Sequence, residues 1–320
     1  MASEVAGGVP RRLVDLVTSP WFARHPSRWV WLSPRAVGVA VVIWSLIGVG
    51  TGAAQVVQSL PFATSPGESL ANWLIPIYPL PLLAGALAST AGGLLMCWRR
   101  PTGVAWVLLG LLLGVAGLAL LTVVQVSISL SEQQAVAIDV ASAFVALGSA
   151  VAEFALIYYA AAASWNSRLR PGSARQRAAS AGLLLGILFV LYLPGDAVSL
   201  AAGVATFSPN DLSLLSDGWG ALALAGSYVL PVLGDLMCAA GGWVMWRGRR
   251  GVWLLLAGVL VQMLGTVNNL VVLPTVADSY TAPLYDLLIA GLALAAWRSA
   301  RGQPEPGSLD ADPAPTASLG

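Results

Sequence analysis

Charge is scarce in this chain. Only 10% of its 320 residues are Asp, Glu, Lys or Arg, while 57% are hydrophobic; a soluble globular protein carries roughly 25% charged residues. That shortage excludes a soluble enzyme, a disordered chain and an ordinary nucleic-acid binder. Lysine is missing altogether, so all sixteen basic residues are Arg, and the net charge of +1 provides no bulk field for polyanions. The one histidine, His25, lies outside every apolar block. A bis-His haem, a His-rich metal site and a Ser–His pair within the membrane are thereby excluded. The two cysteines, Cys97 and Cys238, form no CxxC, so neither a disulfide framework nor a thiol redox motif is indicated. HExxH, GxSxG, P-loop and acidic Mg²⁺ motifs are absent as well, and no catalytic residue, metal ligand or cofactor is expected.

What the chain does have is apolar length. A membrane span needs about 20 largely apolar residues, and eight segments qualify: about 36–59, 73–97, 103–128, 134–163, 179–204, 220–246, 252–274 and 281–298. Pro76, Pro79 and Pro81 fall in the second and Pro231 in the sixth, where a membrane helix tolerates a kink. The arginines set the orientation. They occur before the first span, between the second and third, fourth and fifth, and sixth and seventh, and after the eighth. The alternate loops carry no Arg, only Glu68, Glu132, Asp211, Asp217 and Asp278. Every positive charge then falls on one side, the cytoplasmic one, with both termini inside. Trp98, Trp106, Trp165, Trp243, Trp246, Trp253 and Trp297 cluster at the Arg-bearing ends as an aromatic belt.

The expected fold is therefore an all-α integral membrane bundle of eight helices in a bacterial cytoplasmic membrane. Residues 1–35 read as a cytoplasmic segment, interfacial over 11–32, where Arg alternates with Leu and Trp. Residues 36–165 hold four spans, 166–178 a basic linker, 179–300 four more spans, and 301–320 a Pro-, Gly- and Asp-rich disordered tail.

The two sets of spans look duplicated. LPLLAGALASTAGGLLMCWRRPTGVAWVLLG at 80–110 matches LPVLGDLMCAAGGWVMWRGRRGVWLLLAG at 230–258 in order, with short gaps: Ala91-Gly92-Gly93 with Ala240-Gly241-Gly242, Met96 with Met245, Trp106 with Trp253. The ends of the fourth and eighth spans agree more weakly, AAASWNSR with AAWRSAR. An offset of about 150 residues containing four spans makes the repeats parallel, related by an axis along the membrane normal. Gly48 with Gly52, Gly110 with Gly114, and Gly182 with Gly186 form GxxxG pairs suited to close helix packing.

Acids inside apolar spans are the functional candidates, because a carboxylate at a helix centre costs about 2.5–3.5 kcal/mol on insertion scales. Glu153 lies near the middle of the fourth span and Asp235 near the middle of the sixth. Asp196, Asn268, Asn269 and Asp286 lie in outer parts of the fifth, seventh and eighth, and Asp139 near the outer end of the fourth. If the second-half group converges, with Tyr192, Tyr228 and Tyr285 nearby, it forms an outward polar pocket without Arg at that depth. Its acids are then protonated, hydrated or paired with an incoming cation. The competing interpretation is structural, with acids serving as interhelical hydrogen-bonding groups. Gln125 and Gln262 read as interhelical partners rather than ligands.

WRRPTGVAWVLLGLLLGVAGLALL, at 98–121, resembles a motif in the membrane sensor regions of actinobacterial-type histidine kinases, where an Arg-Arg-Pro turn precedes a Gly-hydrophobic-Trp helix start. RGRRGVWLLLAG, at 247–258, is a poorer copy. Nineteen residues follow Arg301, too few for a dimerisation helix, phospho-acceptor His and ATP-binding domain, so the resemblance implies a stand-alone sensor or regulatory relative. Three functions follow from the sequence: a non-enzymatic sensor or ligand-binding protein acting through a membrane or cytoplasmic partner, a small proton- or cation-coupled transporter, and a membrane enzyme or complex subunit lacking a recognisable motif. The lipid bilayer is the one partner expected in all three; nucleic acid is not expected, and oligomeric state is left open.

Overall fold

A computed structural model describes residues 32–64, 70–132, 136–167, 173–205, 218–247, 251–272 and 282–301. The interfacial segment over 11–32, except Leu32, and the tail 302–320 lie outside these. Among the described residues are nine helices and no strand: α1 (Pro34–Thr64), α2 (Leu70–Leu74), α3 (Pro79–Cys97), α4 (Thr102–Glu132), α5 (Val136–Ser167), α6 (Ala174–Ala205), α7 (Gly218–Trp246), α8 (Val252–Val272) and α9 (Ala282–Arg301). Helix is the form an apolar segment must take in hydrocarbon, since its backbone groups are then satisfied within the segment.

Local sequence fixes where several helices begin and break. Ser33 Oγ accepts from the Ala36 N–H at 3.2 Å, and Pro34 opens α1, where its missing N–H is no loss. Ser173 and Gln176 form a reciprocal capping box: the Gln176 N–H donates to Ser173 Oγ at 3.2 Å, and the Ser173 N–H to Gln176 Oε1 at 2.8 Å. That box starts α6 at Ala174, inside the stretch expected to be a linker. Pro76 lies in a turn over 75–78 that separates α2 from α3, and Pro79 opens α3 with Pro81 in its first turn, whereas Pro61, Pro194 and Pro231 are accommodated within continuous helices.

Among the described residues, six helical segments are long and apolar enough to cross a membrane: Pro34–Ala63, Ala71–Cys97, Thr102–Leu130, Val140–Trp165, Ala174–Ala201 and Gly226–Trp246. The protein is a polytopic membrane protein. The last two segments of the sequence expectation are helical too, but the described apolar part of α8, Val252–Asn268, is shorter. Large apolar side chains such as Leu87, Leu112, Leu233 and Leu260 face outward, as lipid contact requires.

Packing follows two rings. In the first, α1 lies against α3, α3 against α4, α4 against α5, and α5 against α1; in the second, α6, α7, α8 and α9 close in the same order. The rings touch through α5 with α6 and α1 with α9. Each has its own core, and the cores fall at matched positions. Val37, Val41, Val104, Val107 and Leu111 serve the first; Leu185, Phe189, Val252, Leu255 and Val259, each 148 residues later, serve the second.

Glycine contacts repeat likewise. A Cβ on Gly92 would come within 2.6 Å of the Val107 nitrogen, and one on Gly103 within 2.7 Å of the Met96 nitrogen. In the second ring Gly241 meets Leu255 and Gly251 meets Met245 with the same crowding. These helices pack backbone against backbone, which only glycine permits.

Candidate functional site

Polar groups within the bundle concentrate where the two rings meet. Asp235, on α7, has no exposed surface. Its Oδ1 accepts a short hydrogen bond from Gln262 Nε2 on α8, while its Oδ2 and Gln262 Oε1 are buried without a hydrogen-bond partner. Asp196, on α6, lies beside Asp235 within interaction range of its carboxyl, and Asp286, on α9, lies near enough to act on it electrostatically. Asp286 is 8% exposed. Three carboxyls from three helices therefore lie within electrostatic range of one another in the protein interior.

A cavity of about 530 Å³ opens beside them. Asp196, Asp286, Gln262, Thr266, Tyr285 and Glu153 supply its polar lining, and α5 contributes Ala146, Ser149 and Ala150. No Arg occurs among the described residues that line it. Among the described residues, no three His, Cys, Asp or Glu side chains are disposed to hold a metal ion.

Glu153 forms the other pole. It accepts from the Tyr192 hydroxyl of α6 at 3.1 Å and from the Trp44 side chain of α1, whose ring meets Phe154 edge-on at 5.7 Å. Trp44 and Tyr192 are 148 residues apart, the spacing of the two cores, and each reaches the same carboxyl. A second cavity of about 440 Å³ lies inside the first ring and shares Ala150, Glu153, Tyr192 and Tyr285 with the acid-lined one.

The two cavities differ at positions that share the spacing of the two cores. Asp196, Asp235 and Gln262 stand 148 or 149 residues after Gly48, Ala86 and Gly114, all three of which line the first-ring cavity. The α9 residue Asp286 corresponds to Phe154, another lining residue, in the alignment that pairs Trp165 with Trp297. Where the second ring has acids and an amide, the first has glycine, alanine and phenylalanine.

The expected candidates separate accordingly. Asp196, Asp235, Asp286 and Glu153 are brought to one region. Asn268 is not: its Nδ2 donates to Ser227 Oγ at 2.8 Å, joining α8 to α7, and it does not line the cavity. The side chains of Asn269 and Asp139 lie outside the described residues. Gln262 is the interhelical partner expected of it, whereas Gln125 is exposed. The pocket also differs in place. It lies between the rings, with α5 as one wall, rather than within the second half alone, because α9 closes on α6 and brings Tyr285 and Asp286 towards α5. Trp44, Ser149 and Thr266 are additions to the expected residues. Thr266 sits one helical turn beyond Gln262, and Trp44 is the first-span residue matched to Tyr192.

No protein-family model matches the chain, and no curated protein or solved structure is similar to it.

Proposed function

We propose that the protein binds a small cationic ligand in the acid-lined cavity and acts as a non-enzymatic sensor or regulatory membrane protein through a partner. One observation carries this: the Asp235 carboxyl is fully buried within interaction range of the carboxyls of Asp196 and Asp286, and no Arg occurs among the described residues that line the adjoining cavity. Buried acids in a membrane require a compensating group, and a cation entering from the cavity supplies one. Binding energy available at such a site can bias how the two rings sit against each other, which is how occupancy would reach a partner. The resemblance of residues 98–121 to sensor regions of histidine kinases agrees with that role.

The test is ligand-induced stabilisation of the purified chain in nanodiscs. Tetramethylammonium raises the unfolding temperature of the wild type, by RT ln(1 + [L]/Kd) in free energy, and Asp235→Asn abolishes the increase. An equal increase in both proteins would refute the assignment.

A second reading, a proton- or cation-coupled transporter, is favoured by the way the two cavities adjoin at Glu153, Tyr192 and Tyr285, between the rings, where transporters built from repeats hold their substrates. Ion flux in proteoliposomes that disappears in Asp235→Asn distinguishes it, since a sensor binds without flux.

The same proposal includes eight spans in two parallel four-helix repeats, with both termini on the cytoplasmic side of a bacterial membrane. Matched cores, matched glycine contacts and the one-sided arginines support that layout. A cysteine placed at Ser213, which lies outside the described residues, reacts with an impermeant external reagent if the orientation is right, and stays unlabelled if it is inverted.

A further inference from the structure

The first-ring cavity is unused by the function proposed above, yet it shares a boundary with the acid-lined one. Its walls are Trp44, Phe154, Leu82, Leu118 and Leu121, with small residues between them. Two of the hydroxyls that line it are engaged on their own side: Ser45 Oγ donates to the Val41 carbonyl at 2.7 Å and pairs with Thr90 Oγ1 at 2.8 Å, and Thr51 Oγ1 donates to the Ile47 carbonyl at 3.1 Å. Beside the polar side chains of Gln55 and Ser89, what the walls offer a guest is mainly apolar and aromatic surface. The cavity runs along α1 from Trp44 to Gln55, about 16 Å at 1.5 Å per residue. Its volume of about 440 Å³ lies within the roughly 300–1,000 Å³ of small-molecule sites.

The junction of the two cavities consists of a carboxyl, Glu153, with the aromatic side chains Tyr192 and Tyr285. Aromatic faces beside a carboxyl favour an organic ammonium, which gains from both. A proton or bare ion would leave the apolar compartment empty, whereas a molecule with one cationic and one apolar end fits both.

We infer that the ligand is an amphiphilic organic cation, its ammonium on the side of Asp196, Asp235 and Asp286 and its apolar part in the first-ring cavity. This rests on the cation-binding function proposed above. The first ring then supplies affinity through burial and the second supplies selection for charge. The matched positions make this division concrete: Gly48, Ala86 and Gly114 leave space for a chain where Asp196, Asp235 and Gln262 present polar atoms.

The test uses the full chain in neutral-detergent micelles and a series of alkyltrimethylammonium ions from methyl to hexyl, with binding read by isothermal calorimetry. Affinity of the wild type rises about three- to fourfold for each methylene added, the gain expected for burial of one such group. Leu118→Trp and Leu121→Trp, which fill the first-ring cavity, flatten that rise while leaving tetramethylammonium affinity within about twofold. Retained tetramethylammonium binding also shows that the variants are folded. Because every protein faces the same micelles, partitioning of longer chains cancels from the comparison. Tetramethylammonium binding with no gain along the wild-type series overturns this inference alone, as does an undiminished gain in both filled variants. No binding of any member overturns the cation-binding function as well.

Discussion

At Asp235 a carboxyl is fully buried, and no arginine occurs among the described residues lining the cavity beside it. Its neighbour Gln262 satisfies one oxygen and leaves its own carbonyl unpaired. Substitution of such a group tends to be tolerated when shape is kept, because an unsatisfied buried atom costs roughly 1–3 kcal/mol. Asp235→Asn keeps the acceptor for Gln262 and adds an N–H that can donate to Asp196. The variant is expected to equal or exceed the wild type in stability, by up to about 2 kcal/mol in thermal unfolding, although it loses ligand-induced stabilisation. A loss of several kcal/mol would instead make the acid a structural tie. Trp44 provides an internal reporter, since its side chain donates to Glu153 at the cavity junction. Ligand binding should change the fluorescence of the wild type, and the change should vanish in Trp44→Phe with binding intact by calorimetry. The acids themselves were legible in the sequence as charge where charge is costly. Trp44 was not, because an indole in an apolar run is indistinguishable from a lipid-facing one until its spacing from Tyr192 is noticed.

Helices are held here by the absence of side chains as much as by their presence. Gly92 meets Val107, and Gly241 meets Leu255, at distances that allow no Cβ. Gly92→Val and Gly241→Val should each cost about 1–3 kcal/mol or more by overpacking, read as lost thermal stability in detergent. Arg99, by contrast, ends α3 with φ at 58°, a conformation that costs a residue with a side chain roughly 1–2 kcal/mol and glycine little. Arg99→Gly is expected to raise the unfolding temperature, and a decrease would mean that the guanidinium is worth more than the strain. The sequence placed the elements within a few residues because hydrocarbon thickness dictates their length. It erred at α6, where the Ser173–Gln176 capping box extends the helix into the basic stretch; that signature is present in the sequence and outweighs the charge that marked the linker.

Among the described residues, the two rings, each with its own core, meet chiefly through α5 with α6 and α1 with α9. The order that glycine and arginine keep across the second and third spans supports the proposed repeat and was readable in the sequence. Its extension to Val37 with Leu185 and Trp44 with Tyr192 was not, since aliphatic and aromatic residues exchange freely in a core as long as volume is filled. Nor could one sequence show that the acids converge. That depends on which helices become neighbours, and it is the closure of α9 onto α6 that makes a seam of them.

The depth of Asp235 has an electrical consequence. It stands close to the middle of α7, so a singly charged guest arriving from either face has crossed roughly half of the transmembrane field. The full drop is worth about 2.3 kcal/mol per 100 mV; half of it changes affinity about sevenfold for the same 100 mV. Measured in vesicles under an imposed potential, the sign of that dependence identifies the face from which the guest enters.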